Sequence, residues 1–191
     1  MAEKRKRVGV LALQGDFEAH EKALQRAGAE TVEVRSSAQL NDVDALVIPG
    51  GESSTMLKLI DSEHMLQALR EFGETHPIFG TCAGAILLAS EVTNPRQESL
   101  GLMDIEVERN GYGRQLDSRI ASLQPEGIEG GLEAVFIRAP IIRRVGDKAR
   151  VLARYQGDPV LVEQGRHLVA TFHPELTEDS RVHKLFLEKV S

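Results

Sequence analysis

The chain has 191 residues, of which 41% are hydrophobic and 27% charged; this fits one ordinary globular domain over 1–191 and excludes a disordered chain, a collagen and a multi-span membrane protein. Lys and Arg number 23 against 29 Asp and Glu, a formal charge of −6, and there is no Trp and only 4% aromatics, so the chain lacks both the basic field and the stacking platforms of a nucleic-acid binder. A single cysteine, Cys82, excludes an internal disulfide and a cysteine-based zinc cluster, and suits a reduced, cytoplasmic setting as either a small buried hydrophobe or a reactive thiol.

Residues 1–7 read as a basic lead-in ending in Lys4-Arg-Lys-Arg7, followed by an apolar run from Val8 to Leu13. That run is too short for the hydrophobic stretch of a secretory signal, and no run reaches the ~20 apolar residues of a membrane span. Its near-continuous apolarity predicts a central parallel strand covered on both faces. Phe17, Ala23, Leu24 and Ala27 among charges, with Gly28 behind them, predict a helix over 16–27. Residues 31–34 and 45–48 read as strands, the second stopping at Pro49-Gly50-Gly51. Met56, Leu57, Leu59, Ile60, Met65, Leu66, Leu69 and Phe72 predict helix over 55–72 with a break near Asp61. Residues 77–79 make a short strand and 83–89 a mostly buried helix.

This alternation predicts an α/β fold with a parallel sheet. Beyond Glu91 the texture changes. Strand-like runs at 105–107, 134–137, 150–155, 160–163 and 167–172 precede a last helix over 179–190, which predicts extra strands at one sheet edge, some of them antiparallel. Segment 110–131 is Gly-rich and polar and gives no clear element.

In open α/β sheets ligands bind outside the carboxyl ends of the strands, and four unusual loops sit there: Gln14-Gly15, Pro49-Gly-Gly-Glu-Ser-Ser54, Gly80-Thr-Cys-Ala-Gly84 and His173-Pro-Glu175. Gly80–Gly84 has the form of a nucleophile elbow with Cys in the place of Ser. Glycines two before and two after remove Cβ atoms that would collide, the following helix begins at the sulfur, and the Ala83 amide faces a developing oxyanion. A buried structural Cys between turn glycines is the bland alternative. His173 and Glu175, two apart on an extended segment held by Pro174, would point the same way, the carboxylate fixing the imidazole tautomer and the other nitrogen facing a thiol. A chance His-x-Glu in an exposed turn, or metal ligation with His183, are the competing readings, and no HExxH-like spacing favours a metal. His20, His64, His76 and His167 read as surface residues. The Gly50-Gly51-Glu52-Ser53 loop lacks the lysine of a P-loop; its amides suit a substrate carboxylate or a second oxyanion donor, or simply turn a strand into a helix.

Together, Leu13-Gln-Gly15, the Pro49–Ser54 loop, the Gly80–Gly84 elbow and His173-Pro-Glu175 resemble the class I (triad-type) glutamine amidotransferases. Within that group Val107-Glu-Arg-Asn110, Gly113-Arg-Gln115, Asp117-Ser118, Val135-Phe-Ile-Arg-Ala-Pro140 and His173-Pro-Glu-Leu-Thr-Glu-Asp179 resemble the glutaminase subunits of ribose-phosphate-dependent pyridoxal 5′-phosphate synthases. Arg119 departs from the aromatic residue of that pattern. The resemblance implies a three-layer flavodoxin-like fold and a glutaminase with Cys82 as nucleophile, His173 as base and Glu175 as orienting acid. It implies Gly51, Glu52, Ser53, Arg109, Ile137 and Arg138 as glutamine contacts, with oxyanion amides on Gly51 and Ala83. It also implies Gln14 at an interface with a (β/α)₈-barrel synthase subunit in a large hetero-oligomer, and no cofactor or metal. A related α/β cysteine hydrolase, of peptidase or deglycase type, would share the elbow but not the His-Pro-Glu ending or the Val107–Asn110 run. A flavodoxin-like binding module would have no use for an elbow cysteine together with His-x-Glu.

Overall fold

The computed structural model describes residues 3–111 and 118–191. The Gly113-Arg-Gln115 run and Asp117, which contribute to the family resemblance, lie outside the described residues. The first half alternates as its sequence predicts: β1 Arg7–Leu11, α1 Phe17–Arg26, β2 Glu30–Val34, β3 Ala45–Ile48, α2 Ser53–Ser62, α3 Leu66–Thr75, β4 Ile78–Thr81 and α4 Ala83–Leu88. Then come β5 Ala89–Thr93, β6 Met103–Glu108, β7 Arg119–Leu123, β8 Leu132–Phe136, β9 Ile141–Val145, β10 Arg150–Tyr155, β11 Asp158–Gln164, β12 His167–Ala170 and the closing helix α5 Arg181–Leu187.

The central sheet has seven strands in the order β10-β11-β12-β4-β3-β1-β2. β12, β4, β3, β1 and β2 pair in parallel, while β10 and β11 form an antiparallel edge. Each central strand splits its side chains between two cores. Leu46, Ile48, Ile78 and Val169 face a layer holding Met56 and Ile60 of α2, Leu69 and Phe72 of α3, and Ile86–Leu88 of α4. Val8, Val10, Ala45, Val47, Phe79 and Leu168 face Leu24 of α1 and Val182 and Phe186 of α5. A strand buried on both faces has no polar positions to alternate with, which is why β1, β3 and β12 read as continuous apolar runs.

The second half supplies the expected antiparallel edge, but not all of its strands join it. β5, β6 and β9 form a three-stranded sheet over the first core, and β7 and β8 a ribbon over the second. β7 crosses the segment that showed no pattern; its Ile120 is 66% exposed, so its sequence has one buried face and one apolar residue in solvent. The helical run 55–72 breaks near Asp61 as expected, at Glu63–Met65: Glu63 still donates to Leu59 and the chain turns where His64 takes φ +54°. Among the described residues no helix is long and apolar enough to cross a membrane.

Candidate active site

β1, β3, β4 and β12 are neighbours and parallel, so their carboxyl ends share one sheet edge. From those ends the chain enters Gln14, the Gly50–Ser54 loop, Cys82 and His173. The Cys82 amide donates to the Ala170 carbonyl at 2.9 Å, which carries the β4–β12 ladder one residue past β4 and pins the cysteine at the sheet edge. Its backbone is turned to φ +50°, ψ −105°, a conformation that costs a non-glycine residue about 1–3 kcal/mol and persists only where its surroundings enforce it. The enforcement comes from close packing at the two glycines. A Cβ on Gly80 would collide with the Gly84 carbonyl, and one on Gly84 with the Ile48 carbonyl. Cys82 is 7% exposed, and Ala83 opens α4 with an amide that has no carbonyl partner within the helix.

His173 and Glu175 meet, though not on the extended segment their spacing predicts. The His173 amide donates to Val135 of β8 at 2.8 Å, and Pro174–Leu176 form a single 3₁₀ turn with proline at its start. Proline's fixed φ suits the first helical position as well as an extended chain, so the sequence did not distinguish the two. The turn brings Glu175 Oε1 to 2.6 Å from His173 Nδ1. Burial opposes the protonated imidazole, but the hydrogen bonds and charges of Cys82 and Glu175 outweigh it and raise His173 to about 10. The imidazolium is thus stabilised between a sulfur and a carboxylate, the arrangement a thiol nucleophile needs.

The Gly50–Ser54 loop lies against this group. A Cβ on Gly50 would sit 2.7 Å from His173 Cε1 and 3.3 Å from Cys82 Cβ. Gly51 has φ +139°, and Gln14 covers it closely while its Nε2 donates to the Glu52 carbonyl at 2.9 Å. Glu52 caps α2. Its carboxylate accepts from the amides of Ser54 (3.1 Å) and Thr55 (2.7 Å) and from both hydroxyls. The Ser54 hydroxyl bond leads, with the Thr55 bonds helping against partial burial, in lowering Glu52 to about 2. Arg109 Nη2 reaches Glu52 Oε1 and Ser54 Oγ, each at 3.3 Å. Ser53 is buried and its hydroxyl donates to Gln97 Oε1 at 3.2 Å. Ile137 and Arg138 follow β8, whose Val135 holds His173; both are exposed, and Arg138 has φ +45°. The structure therefore gathers Cys82, His173, Glu175, Gly51, Ala83 and Gln14 at one point. Glu52 and Arg109 pair beside it, and the Ile137-Arg138 corner lies at the end of the strand that holds His173.

Two of the histidines expected at the surface are inside. His20 is fully buried and His167 is 6% exposed. His20 shares a helix face with Ala23 and Leu24 at i+3 and i+4, a spacing visible in the sequence but masked by flanking Glu21 and Lys22. His167 Nδ1 accepts from the Ile78 amide at 3.1 Å, and burial lowers it to about 4. His64 is exposed and His76 half-buried. Among the described residues no three His, Cys, Asp or Glu side chains are arranged to hold a metal.

Residues 10–191 match the model of the SNO glutamine amidotransferase family. The chain is 65% identical to pyridoxal 5′-phosphate synthase subunit PdxT of Solibacter usitatus (strain Ellin6076), over 97% of this chain and 100% of that protein. It is 55% identical to the protein of the same name from Koribacter versatilis (strain Ellin345), over 96% of this chain and 95% of that one. Its structure resembles a crystal structure of a glutamine amidotransferase with a TM-score of 0.90 at 50% identity, covering 95% of this chain and 97% of the other.

Proposed function

The chain belongs to the SNO glutamine amidotransferase family, and on that premise we propose that Cys82, His173 and Glu175 hydrolyse the side-chain amide of L-glutamine to L-glutamate and ammonia. The observation that carries this reading is the strained elbow cysteine packed around Gly50 with the His173 imidazole, whose Nδ1 is 2.6 Å from a buried carboxylate. The Cys82 thiolate attacks the amide carbon, and the new oxyanion takes hydrogen bonds from the Gly51 and Ala83 amides. Losing one such donor typically costs ~10²–10³ in rate. His173 gives its proton to the leaving nitrogen, the C–N bond breaks, and a thioester remains. Water then loses a proton to His173 and attacks; the C–S bond breaks and glutamate departs with the thiolate restored. Arg109 and the Ile137-Arg138 corner hold the amino-acid end of glutamine, the Arg109 guanidinium offering its remaining donors to the α-carboxylate. Glu52 and Ser53 fix the loop and the arginine. No step calls on a metal or cofactor.

Ammonia is mostly ammonium at neutral pH and is then not nucleophilic, so it serves best when handed on under shelter. We assign the acceptor to a (β/α)₈-barrel synthase subunit, in a large cytoplasmic hetero-oligomer, that condenses ammonia with a pentose phosphate and a triose phosphate into pyridoxal 5′-phosphate. The name the two relatives share, that of a synthase subunit, supports a synthase partner. Gln14 sits at that interface, and docking sets the Gly50-Gly51 peptide for catalysis, since glycine turns over cheaply. The test is ammonia release from L-glutamine with and without the synthase subunit. Weak release alone and strong release in the complex is the expected result, with a glutamine-analogue electrophile labelling Cys82. Turnover of peptides or glycated amines but not of glutamine overturns the reading.

A further inference from the structure

One oxygen of the Glu175 carboxylate has no role in the mechanism above. The side chain is 1% exposed, and among the described residues only Oε1 is hydrogen-bonded, to His173. Oε2 is buried without a hydrogen-bond partner among the described residues. A charged oxygen in that state carries a desolvation cost that nothing offsets. The group facing it is His20, whose Nε2 lies 3.5 Å away. His20 comes from α1 and is completely buried. Its Nε2 is also 3.0 Å from Oγ1 of Thr81, the residue before the nucleophile, and its Nδ1 is 3.0 Å from Nε2 of His183 on α5. Phe79 meets both imidazoles edge-on, with centroids at 6.4 and 5.6 Å.

The two histidines can share their proton in two ways. With the His20 proton on Nδ1, its Nε2 lone pair faces the carboxylate oxygen. His183 must then carry its own proton on Nδ1, which is buried and has no hydrogen-bond partner among the described residues. With His183 donating from Nε2, the His20 proton sits on Nε2 and points between Thr81 Oγ1 and Glu175 Oε2. The bare atom is then an unprotonated nitrogen rather than an orphaned donor. Only the second arrangement avoids both costs. It needs neutral rings, and burial supplies them: desolvation, aided by His183 and His173, pushes His20 well below its ordinary value, and desolvation with the Arg26 charge lowers His183 to about 3.

We infer that His20 is a positioning residue for the reaction: its Nε2–H holds Oε2 of Glu175, so that Oε1 stays aimed at His173 Nδ1 and the other face of His173 stays turned to Cys82. This rests on the triad reading above. At 3.5 Å the contact is longer than a full hydrogen bond, and such contacts commonly tighten in the substrate complex. The carboxylate is thereby kept from rotating when the imidazole gains and loses its proton in each half-reaction.

The test compares His20→Gln with His20→Asn in the complex with the synthase subunit. The Gln amide nitrogen reaches the place of Nε2 and can donate to Glu175. The Asn nitrogen reaches only the place of Nδ1, facing His183. The two differ by one methylene at a fully buried position, so thermal unfolding of both variants separates a fold defect from the loss of the contact. The expected result is near wild-type kcat for Gln, and for Asn a kcat about 10- to 100-fold lower with KM unchanged, the worth of a hydrogen bond to a charged group. The pH–rate limb belonging to His173 and the downfield Nδ1–H proton resonance of its bond to Glu175 should move in the Asn variant and stay in the Gln variant. Equal kcat in the two variants, with an unmoved pH limb and resonance, overturns the inference. If Cys82→Ala retains turnover, the triad reading itself has failed; if Cys82→Ala is inactive while Asn and Gln behave alike, only the role of His20 has.

Discussion

The two halves of the site are held by different forces. The proposed chemical half, Cys82 with His173 and Glu175, hangs on the ends of buried parallel strands with the buried His20 of α1 behind it, and has almost no exposed surface. The proposed gripping half includes the exposed Ile137-Arg138 corner and joins Glu52, fixed as a helix cap, to Arg109 through an ion pair in which Arg109 is 14% and Glu52 55% exposed. Buried groups under close packing have one arrangement available, whereas a surface ion pair contributes ~0–1 kcal/mol and is readily exchanged. The chain therefore carries a finished nucleophile beside an adjustable clamp. That division suits the proposed activation by a synthase partner.

If the division holds, substitutions in the chemical half should act on kcat and those in the gripping half on KM or on activation. Cys82→Ala should abolish turnover, by at least about 10⁴-fold, with the fold intact, as ammonia release and circular dichroism report. His173→Asn should do nearly the same. Glu175→Gln should cost less, about 10²-fold, because it orients rather than reacts. Gly84→Ala should strike fold and activity together. Its Cβ meets the Ile48 carbonyl, a backbone atom that cannot step aside, and thermal unfolding should show a loss of about 1–3 kcal/mol. Glu52→Ala should lower stability by about 1 kcal/mol through the lost cap and raise KM for glutamine as Arg109 loses its partner. Gln14→Ala should leave the isolated chain's stability within about 0.5 kcal/mol and reduce the activation ratio on adding the synthase subunit.

The halves should also differ in sign with pH. His173 is raised from 6.5 to about 10 in the folded chain. Its contribution to stability is complete below 6.5 and is lost as pH rises toward 10, so the stability gap between wild type and His173→Ala should narrow over that range. Glu52 is lowered from 4.5 to about 2. Its contribution is present above 4.5 and is lost as pH falls toward 2, so the gap to Glu52→Gln should narrow on the acid side. Denaturant midpoints across pH measure both, and gaps that narrow together would show the halves to be one coupled unit.

What the sequence disclosed follows the same line. Strands buried on both faces announce themselves as apolar runs, and an elbow needs glycines at fixed offsets, so β1, β3, β4 and Cys82 were legible. The pairing of His173 with Glu175 was legible but its turn was not, since Pro174 fits an extended chain and a 3₁₀ start alike. β5, β7 and β9 were missed. Each is five residues with two or more polar side chains, and each is held by pairing with another strand rather than announced by its own pattern. His20 was missed because a histidine between charged neighbours looks solvated until its helix face is set against Ala23 and Leu24.

The central claim is that this chain's contribution to synthesis is the ammonia that Cys82 releases from glutamine. It is tested most directly by assembling the synthase subunit with the Cys82→Ala chain, a pentose phosphate and a triose phosphate, and following the absorbance of the pyridoxal product. With glutamine the mixture should make none. With concentrated ammonium salt at mildly alkaline pH, where free ammonia enters the synthase directly, it should make product at a rate close to that of the wild-type complex given the same salt. Product from glutamine in the absence of Cys82, or failure of ammonium to restore synthesis while the synthase subunit alone still uses it, would contradict the account.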